Sequence, residues 1–259
     1  MLLILAMVIA AASLLFSHDG RAEELPSGEP RSTAAPITTT TATSTSIVAS
    51  APSRMPAAPL GPVVEASSPV DLSYFDDAAF IGNSRTEGLM LYTGLSNASF
   101  YTANGLTVDT FFTKKVVKTG VEKITIPEAL KDKTFGKVYI MLGTNELGWV
   151  YDSVFIKRYG ELIDTVRASQ PGADIYVQSI LPVTSKKSAA DKNFNNPKIN
   201  RYNALLEQLV KEKGVRYLRV CDSVGLDGGA LPAEAATDGI HLTPQYCHKW
   251  LDYLRTHTV

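Results

Sequence analysis

Short apolar runs alternate, along the second two-thirds of the chain, with longer stretches whose apolar positions recur every three or four residues. The short runs predict strands at Ala78–Gly82, Ser99–Thr102, Lys137–Leu142, Asp174–Ile180 and Val215–Val220. Between the last two, Ile199, Tyr202, Leu205, Leu206, Leu209 and Val210 fall on one face at helical spacing and predict a helix over 198–213. A second helix over Ser153–Ala168 is closed by Gln170-Pro171-Gly172, and Pro244 opens a C-terminal helix reaching about Arg255. Strands separated by helices need crossover connections. The fold class is therefore α/β: a single three-layer α/β/α domain whose central parallel sheet of about five strands is covered on both faces. Such sheets gather their ligand-binding groups at the carboxyl ends of the strands.

The N-terminal quarter follows a different pattern. Met1 to His18 carries no Asp, Glu, Lys or Arg and is apolar from Leu2 to Phe16, which suits the core of a signal peptide or a membrane anchor; residues 1–22 are assigned to it. A tether to a membrane through residues 1–18 follows if the segment is kept. From Pro26 to Pro69, thirty-one of the 44 residues are Ser, Thr, Pro or Ala and none is aromatic, too little apolar surface to offset the entropy of ordering. Residues 23–70 therefore read as an extended linker, and 71–259 as the folded domain, large enough for a core of its own. From Asp71 onward 22 Lys and Arg meet 21 Asp and Glu, a balance that gives no support for nucleic-acid binding.

Candidate chemistry sits at strand ends. Ala79-Phe80-Ile81-Gly82-Asn83-Ser84 runs from a strand into a helix, where a serine can expose its hydroxyl beside orphan backbone donors. By itself the segment also fits ordinary turn chemistry and a helix cap. Thr237-Asp238-Gly239-Ile240-His241 brings a carboxylate and an imidazole three residues apart, a spacing at which the acid can orient the base, or simply turn the loop. His248 and His257, on the C-terminal helix, have no adjacent acid, which leaves His241 as the candidate base. Asn145, just after the strand at 137–142, offers a side-chain amide to a developing oxyanion, and Gly105 allows a backbone N–H to approach a ligand. Metal-binding signatures, Gly-rich phosphate loops and Gly-x-Ser-x-Gly are absent, so no cofactor and no metal are expected.

The order Ser84, Gly105, Asn145, Asp238, His241 resembles the SGNH hydrolases, also called the GDSL esterase/lipase family, over roughly residues 72 to 256. Ser84 matches the nucleophile of the first block, Gly105 and Asn145 the second and third, and Asp238 with His241 the last. Two neighbours depart from the family pattern: Asn83 stands where Asp is usual before the serine, and Glu146 where Asp is usual after the asparagine. The resemblance implies a flavodoxin-like parallel sheet and ester hydrolysis through an acyl-serine. Ser84, Asp238 and His241 would be the catalytic residues, and the N–H groups of Ser84 and Gly105, with the Asn145 amide, the oxyanion hole.

Arg85, Glu146, Trp149 and Tyr151 are the candidate substrate-binding residues, and the polar stretch Pro182–Pro197 is a lid or a tolerated insertion. Cys221 and Cys247 either pair or stay as free thiols. The expected activity is that of an exported, secreted or membrane-anchored serine esterase, removing small acyl groups, acetyl above all, from carbohydrate or cell-envelope substrates. An O-acyltransferase with the same residues is a second reading, and a non-catalytic glycan-binding module a third.

Overall fold

The structure, a computed structural model, describes residues 62–259. The assignments made for residues 1–22 and for the linker as far as Gly61 lie outside the described residues. Five strands, β1 (Ala78–Gly82), β2 (Ser99–Thr102), β5 (Lys137–Met141), β6 (Asp174–Gln178) and β7 (Arg216–Leu218), form one sheet in the order β2-β1-β5-β6-β7, every neighbour parallel. A separate antiparallel hairpin joins β3 (Val117–Thr119) and β4 (Glu122–Ile124). The helices are α1 (Ser84–Thr93), α2 (Thr110–Thr113), α3 (Ile126–Ala129), α4 (Asp152–Ser169), α5 (Ser185–Ala190), α6 (Asn196–Lys213) and α7 (Pro244–Thr256).

Alternation along each strand sorts the core into two layers. Ala79, Ile81, Val138, Ile140, Ile175 and Val177 point to one face and meet Phe155, Leu162 and Val166 of α4 with Leu206 and Val210 of α6. Phe80, Tyr139, Met141, Tyr176 and Leu218 point to the other, against Leu89 of α1 and Trp250, Leu251 and Leu254 of α7. On this second face the registered positions Phe100, Phe80, Tyr139 and Tyr176 stack ring on ring across four strands, with centroids 4.8, 4.7 and 4.7 Å apart. Such offset-stacked cross-strand pairs add about 0.5–1.5 kcal/mol each beyond the area they bury. The ladder therefore favours the register that aligns the strand ends.

Two features differ from expectation. The folded body begins before Asp71: Val63 bridges to Tyr217 beside β7, Val64 N donates to Tyr217 O at 2.9 Å, and Val70 N donates to Arg255 O at 2.9 Å. Val64 is buried, so this end of the Ser/Pro-rich stretch covers the edge strand of the sheet, a place where free backbone groups would otherwise invite pairing. The hairpin and the short helices α2, α3 and α5 were not anticipated. Charged Lys118, Glu122 and Lys123 hide the hairpin's two-residue period, and four- and six-residue helices leave too few turns for a periodic signal.

Tyr139 sits in the middle of the ladder, fully buried, and among the described residues its hydroxyl has no hydrogen-bond partner. Replacing it by Ala should cost about 3–5 kcal/mol in urea unfolding, whereas Tyr139→Phe should stay within about 1 kcal/mol of wild type, because the ring makes the contacts.

Candidate active site

The position of Ser84 is built by packing a helix directly onto the end of a strand. A Cβ on Gly82 would lie 2.0 Å from Thr86 Oγ1 and 2.6 Å from Thr86 Cβ, so α1 can fold back over β1 only if residue 82 is glycine. Asn83 then caps the helix, its side-chain oxygen accepting from Arg85 N at 3.0 Å. Asn83 is itself buried, so an amide here caps the helix without desolvating the negative charge an Asp would bring. Ser84 is the first helical residue, where unpaired N–H groups and the helix dipole favour negative charge.

From the far end of the sequence, the loop before α7 brings Asp238 and His241 to Ser84. His241 Nε2 lies 2.9 Å from Ser84 Oγ, and His241 Nδ1 lies 2.6 Å from Asp238 Oδ2. The other carboxylate oxygen of Asp238 accepts from the N–H groups of Ile240 and His241, each at 2.8 Å. Partial burial pushes the Asp238 carboxyl up, but the bonds from the His241 ring and these two N–H groups outweigh it and hold it at about 2. The carboxylate thus stays charged and fixes which ring nitrogen faces the serine.

The loops that carry Gly105 and Asn145 meet each other. Gly105, in the loop after β2, has φ +70° and lies exposed; Asn145, after β5, donates one amide hydrogen to Leu106 O at 2.9 Å. A second tie joins the same loops, because Val108 N donates to Glu146 Oε1 at 2.7 Å. Tyr202 Oη and Lys198 Nζ, both from α6, donate to the carbonyls of Glu146 at 3.0 Å and Leu147 at 2.9 Å, which fixes the loop from below.

Of the four substrate-binding candidates, two have buried side chains, although Arg85 still borders the cavity beside Ser84. Arg85 is buried on the inner side of α1, and its guanidinium donates to the carbonyls of Leu181 and, at 3.0 Å, Pro182. Burial lowers it to about 10, with the Asp238 carboxylate pulling the other way. Glu146 is fully buried on the Val108 tie, with its second oxygen lacking a partner among the described residues. Trp149 is half-buried and packs against the core, while Tyr151 is exposed at the start of α4. The stretch 182–197 is no free lid. It carries α5, and the Asn196 side chain clamps Val183 through both its N–H and its carbonyl, while Thr184 N donates to Gly239 O at 3.0 Å. It serves as a platform under the Asp238 loop. Cys221 and Cys247 are free thiols, and burial pushes them to about 11 and about 12.

The sequence matches the GDSL-like lipase/acylhydrolase family over residues 80–246, and the chain belongs to that family. By class it is a carboxylic ester hydrolase with the SGNH fold. Among solved structures it is similar to a GDSL-like lipase from Bacteroides thetaiotaomicron, at 17% identity over 70% of this chain and 86% of that one, with a TM-score of 0.52. A protein from Slackia heliotrinireducens described as an SGNH hydrolase aligns at 15% identity over 69% and 96% of the two chains, with a TM-score of 0.51. One from Streptococcus pneumonia described as a platelet activating factor aligns at 21% over 71% and 88%, with a TM-score of 0.54. At these identities the likeness is one of fold. No curated protein matches the chain in sequence.

Burial pushes the Glu146 carboxyl up from 4.5 to about 7, although the bond from Val108 N opposes this. A folded value above the unfolded one means that its stabilising contribution is complete below about pH 4.5 and lost as pH rises through about 7. The loss amounts to about 3 kcal/mol. Urea unfolding at pH 5 and pH 8 should show the wild type losing about that much more than Glu146→Gln; parallel pH profiles would refute the assignment.

Proposed function

We propose that the protein is an exported serine esterase that removes small acyl groups, acetyl above all, from carbohydrate or cell-envelope polymers. The observation that carries the chemistry is the continuous chain of hydrogen bonds from Ser84 Oγ through the His241 ring to Asp238. In this reading His241 takes the Ser84 proton as Oγ attacks the ester carbonyl, and Asp238 stabilises the imidazolium. The N–H groups of Ser84 and Gly105 and the free amide hydrogen of Asn145 receive the oxyanion. Collapse of the tetrahedral intermediate breaks the ester C–O bond, and His241 returns the proton to the departing alkoxide. Water then repeats the sequence on the acyl-serine. The His241 side chain is 49% exposed, which supports water as the acyl acceptor over a transferred sugar hydroxyl. Export, and a possible tether through residues 1–18, rest on the apolar leader and the Ser/Thr/Pro/Ala-rich segment behind it.

Hydrolysis of an aryl acetate by the soluble domain tests this. Ser84→Ala and His241→Ala should each lower kcat by about 10⁴-fold or more, and Asp238→Asn by roughly 10³-fold, with circular dichroism unchanged. Turnover that survives Ser84→Ala would exclude the serine as nucleophile and favour a module that binds glycans without cleaving them.

A further inference from the structure

One face of α1 is left open by the fold. Arg85, Thr86, Leu89 and Thr93 turn inward, whereas Ser84, Glu87, Gly88, Leu91 and Tyr92 follow the i, i+3, i+4, i+7, i+8 stripe of the opposite side. Leu91 is 65% exposed and Tyr92 47%, high values for large apolar side chains on a helix whose first residue is the nucleophile. That stripe, with Arg85 beside Ser84, forms one wall of a cavity of about 370 Å³, and the loop from His241 to Pro244 with Thr237 forms the other. The volume is in the range of small-molecule sites. Ser84 and His241 both line it, while neither Gly105 nor Asn145 does.

This one-sidedness fixes what belongs there. During acylation the carbonyl oxygen must point at the oxyanion donors, and the leaving oxygen must come within reach of His241 Nε2, which supplies its proton. The space on the His241 side is therefore the space for the alcohol half of the ester. Its lining mixes a carboxylate (Glu87), Arg85, whose guanidinium is already tied to the Leu181 and Pro182 carbonyls, and hydroxyls (Thr237, Thr243) with apolar surface from Leu91, Tyr92, Leu242 and Pro244. A pyranoside has the same division: C–H faces that lie on an aromatic ring, and hydroxyls around the rim that donate to a carboxylate. Gly88 keeps the wall low, since a Cβ there would find its nearest neighbours at 3.9 Å (Cys247 Sγ) and 4.0 Å (the Tyr92 ring).

We propose that this cavity is the leaving-group subsite and that it holds a sugar ring as the alcohol of the scissile ester, with Tyr92 under the ring and Glu87 accepting from its hydroxyls. The inference rests on the esterase reading above. In the acylation step the Ser84 Oγ–acyl bond forms and the acyl–O(sugar) bond breaks. The proton taken from Oγ passes by way of Nε2 to the sugar oxygen, and the sugar leaves as a free alcohol.

The test holds the acyl group constant and varies the alcohol. The kcat/KM values for a mono-O-acetylated methyl glucoside and for ethyl acetate are measured on the wild type, Tyr92→Ala, Glu87→Gln and Gly88→Leu, with thermal melts to confirm folding. Leucine suits a helix better than glycine, so Gly88→Leu fills the cavity without a propensity penalty. Each variant should lower the sugar-acetate value about 10-fold or more relative to ethyl acetate. Unchanged ratios in an active enzyme would overturn the subsite alone. So would Gly88→Leu discriminating instead between ethyl butanoate and ethyl acetate, which would assign the cavity to the acyl chain. A wild type that hydrolyses neither ester would overturn the esterase reading, and this inference with it.

Discussion

Parallel strands that stay in register end together, and the rest of this molecule is arranged around that constraint. The β1–β2 and β1–β5 pairings bring Gly82 level with Thr102 and with Met141, so the chain leaves all three strands at one edge. Ser84, Gly105 and Asn145 come from those three exits. The stacked ladder of Phe100, Phe80, Tyr139 and Tyr176 reinforces the same register from the middle of the sheet. A slip of one residue would turn every ring to the opposite face and separate the loops that carry the polar groups.

The groups at this edge are held by backbone more than by one another. Asp238 binds two N–H groups of its own loop, Asn83 caps α1, and Arg85 ties α1 to the carbonyls that follow β6. Two charged side chains, Arg85 and Glu146, are removed from water to serve as struts beside residues that stay half-open. Such positions are costly when a partner is lost, because the remaining groups cannot recover water. The arrangement keeps Ser84 and His241 accessible while the frame around them is tied down by hydrogen bonds. Rigid surroundings are what an oxyanion site requires, since its donors must already be in place when charge develops.

The sheet was legible because β1, β5 and β6 are largely apolar runs, and α4, α6 and α7 because each spans several turns with one apolar face. The Ser84, Asp238 and His241 cluster was legible in outline, since histidine is scarce and Asp238 stands three residues before His241 in a Gly-containing loop. What stayed hidden depended on direction. Arg85 and Glu146 read as exposed polar residues beside a site, and only the fold shows that both turn inward. Sequence gives type and spacing, and a helix N-terminus can present position 85 to either side. Val63 and Val64 were submerged in a Ser/Pro-rich stretch; two apolar residues carry no period. The open stripe on α1 was equally silent, because Leu91 and Tyr92 look like core residues until the sheet is seen to lie on the other side.

In the proposed mechanism the Ser84 hydroxyl is activated by His241 rather than merely hydrogen-bonded to it. A fluorophosphonate probe, which reacts with activated serines, tests this directly when the adduct is mapped by mass spectrometry on the soluble domain. The account predicts a single adduct on Ser84, lost in His241→Ala although the serine remains. A folded domain that takes up no probe, or labelling of Ser84 that persists without His241, would contradict it.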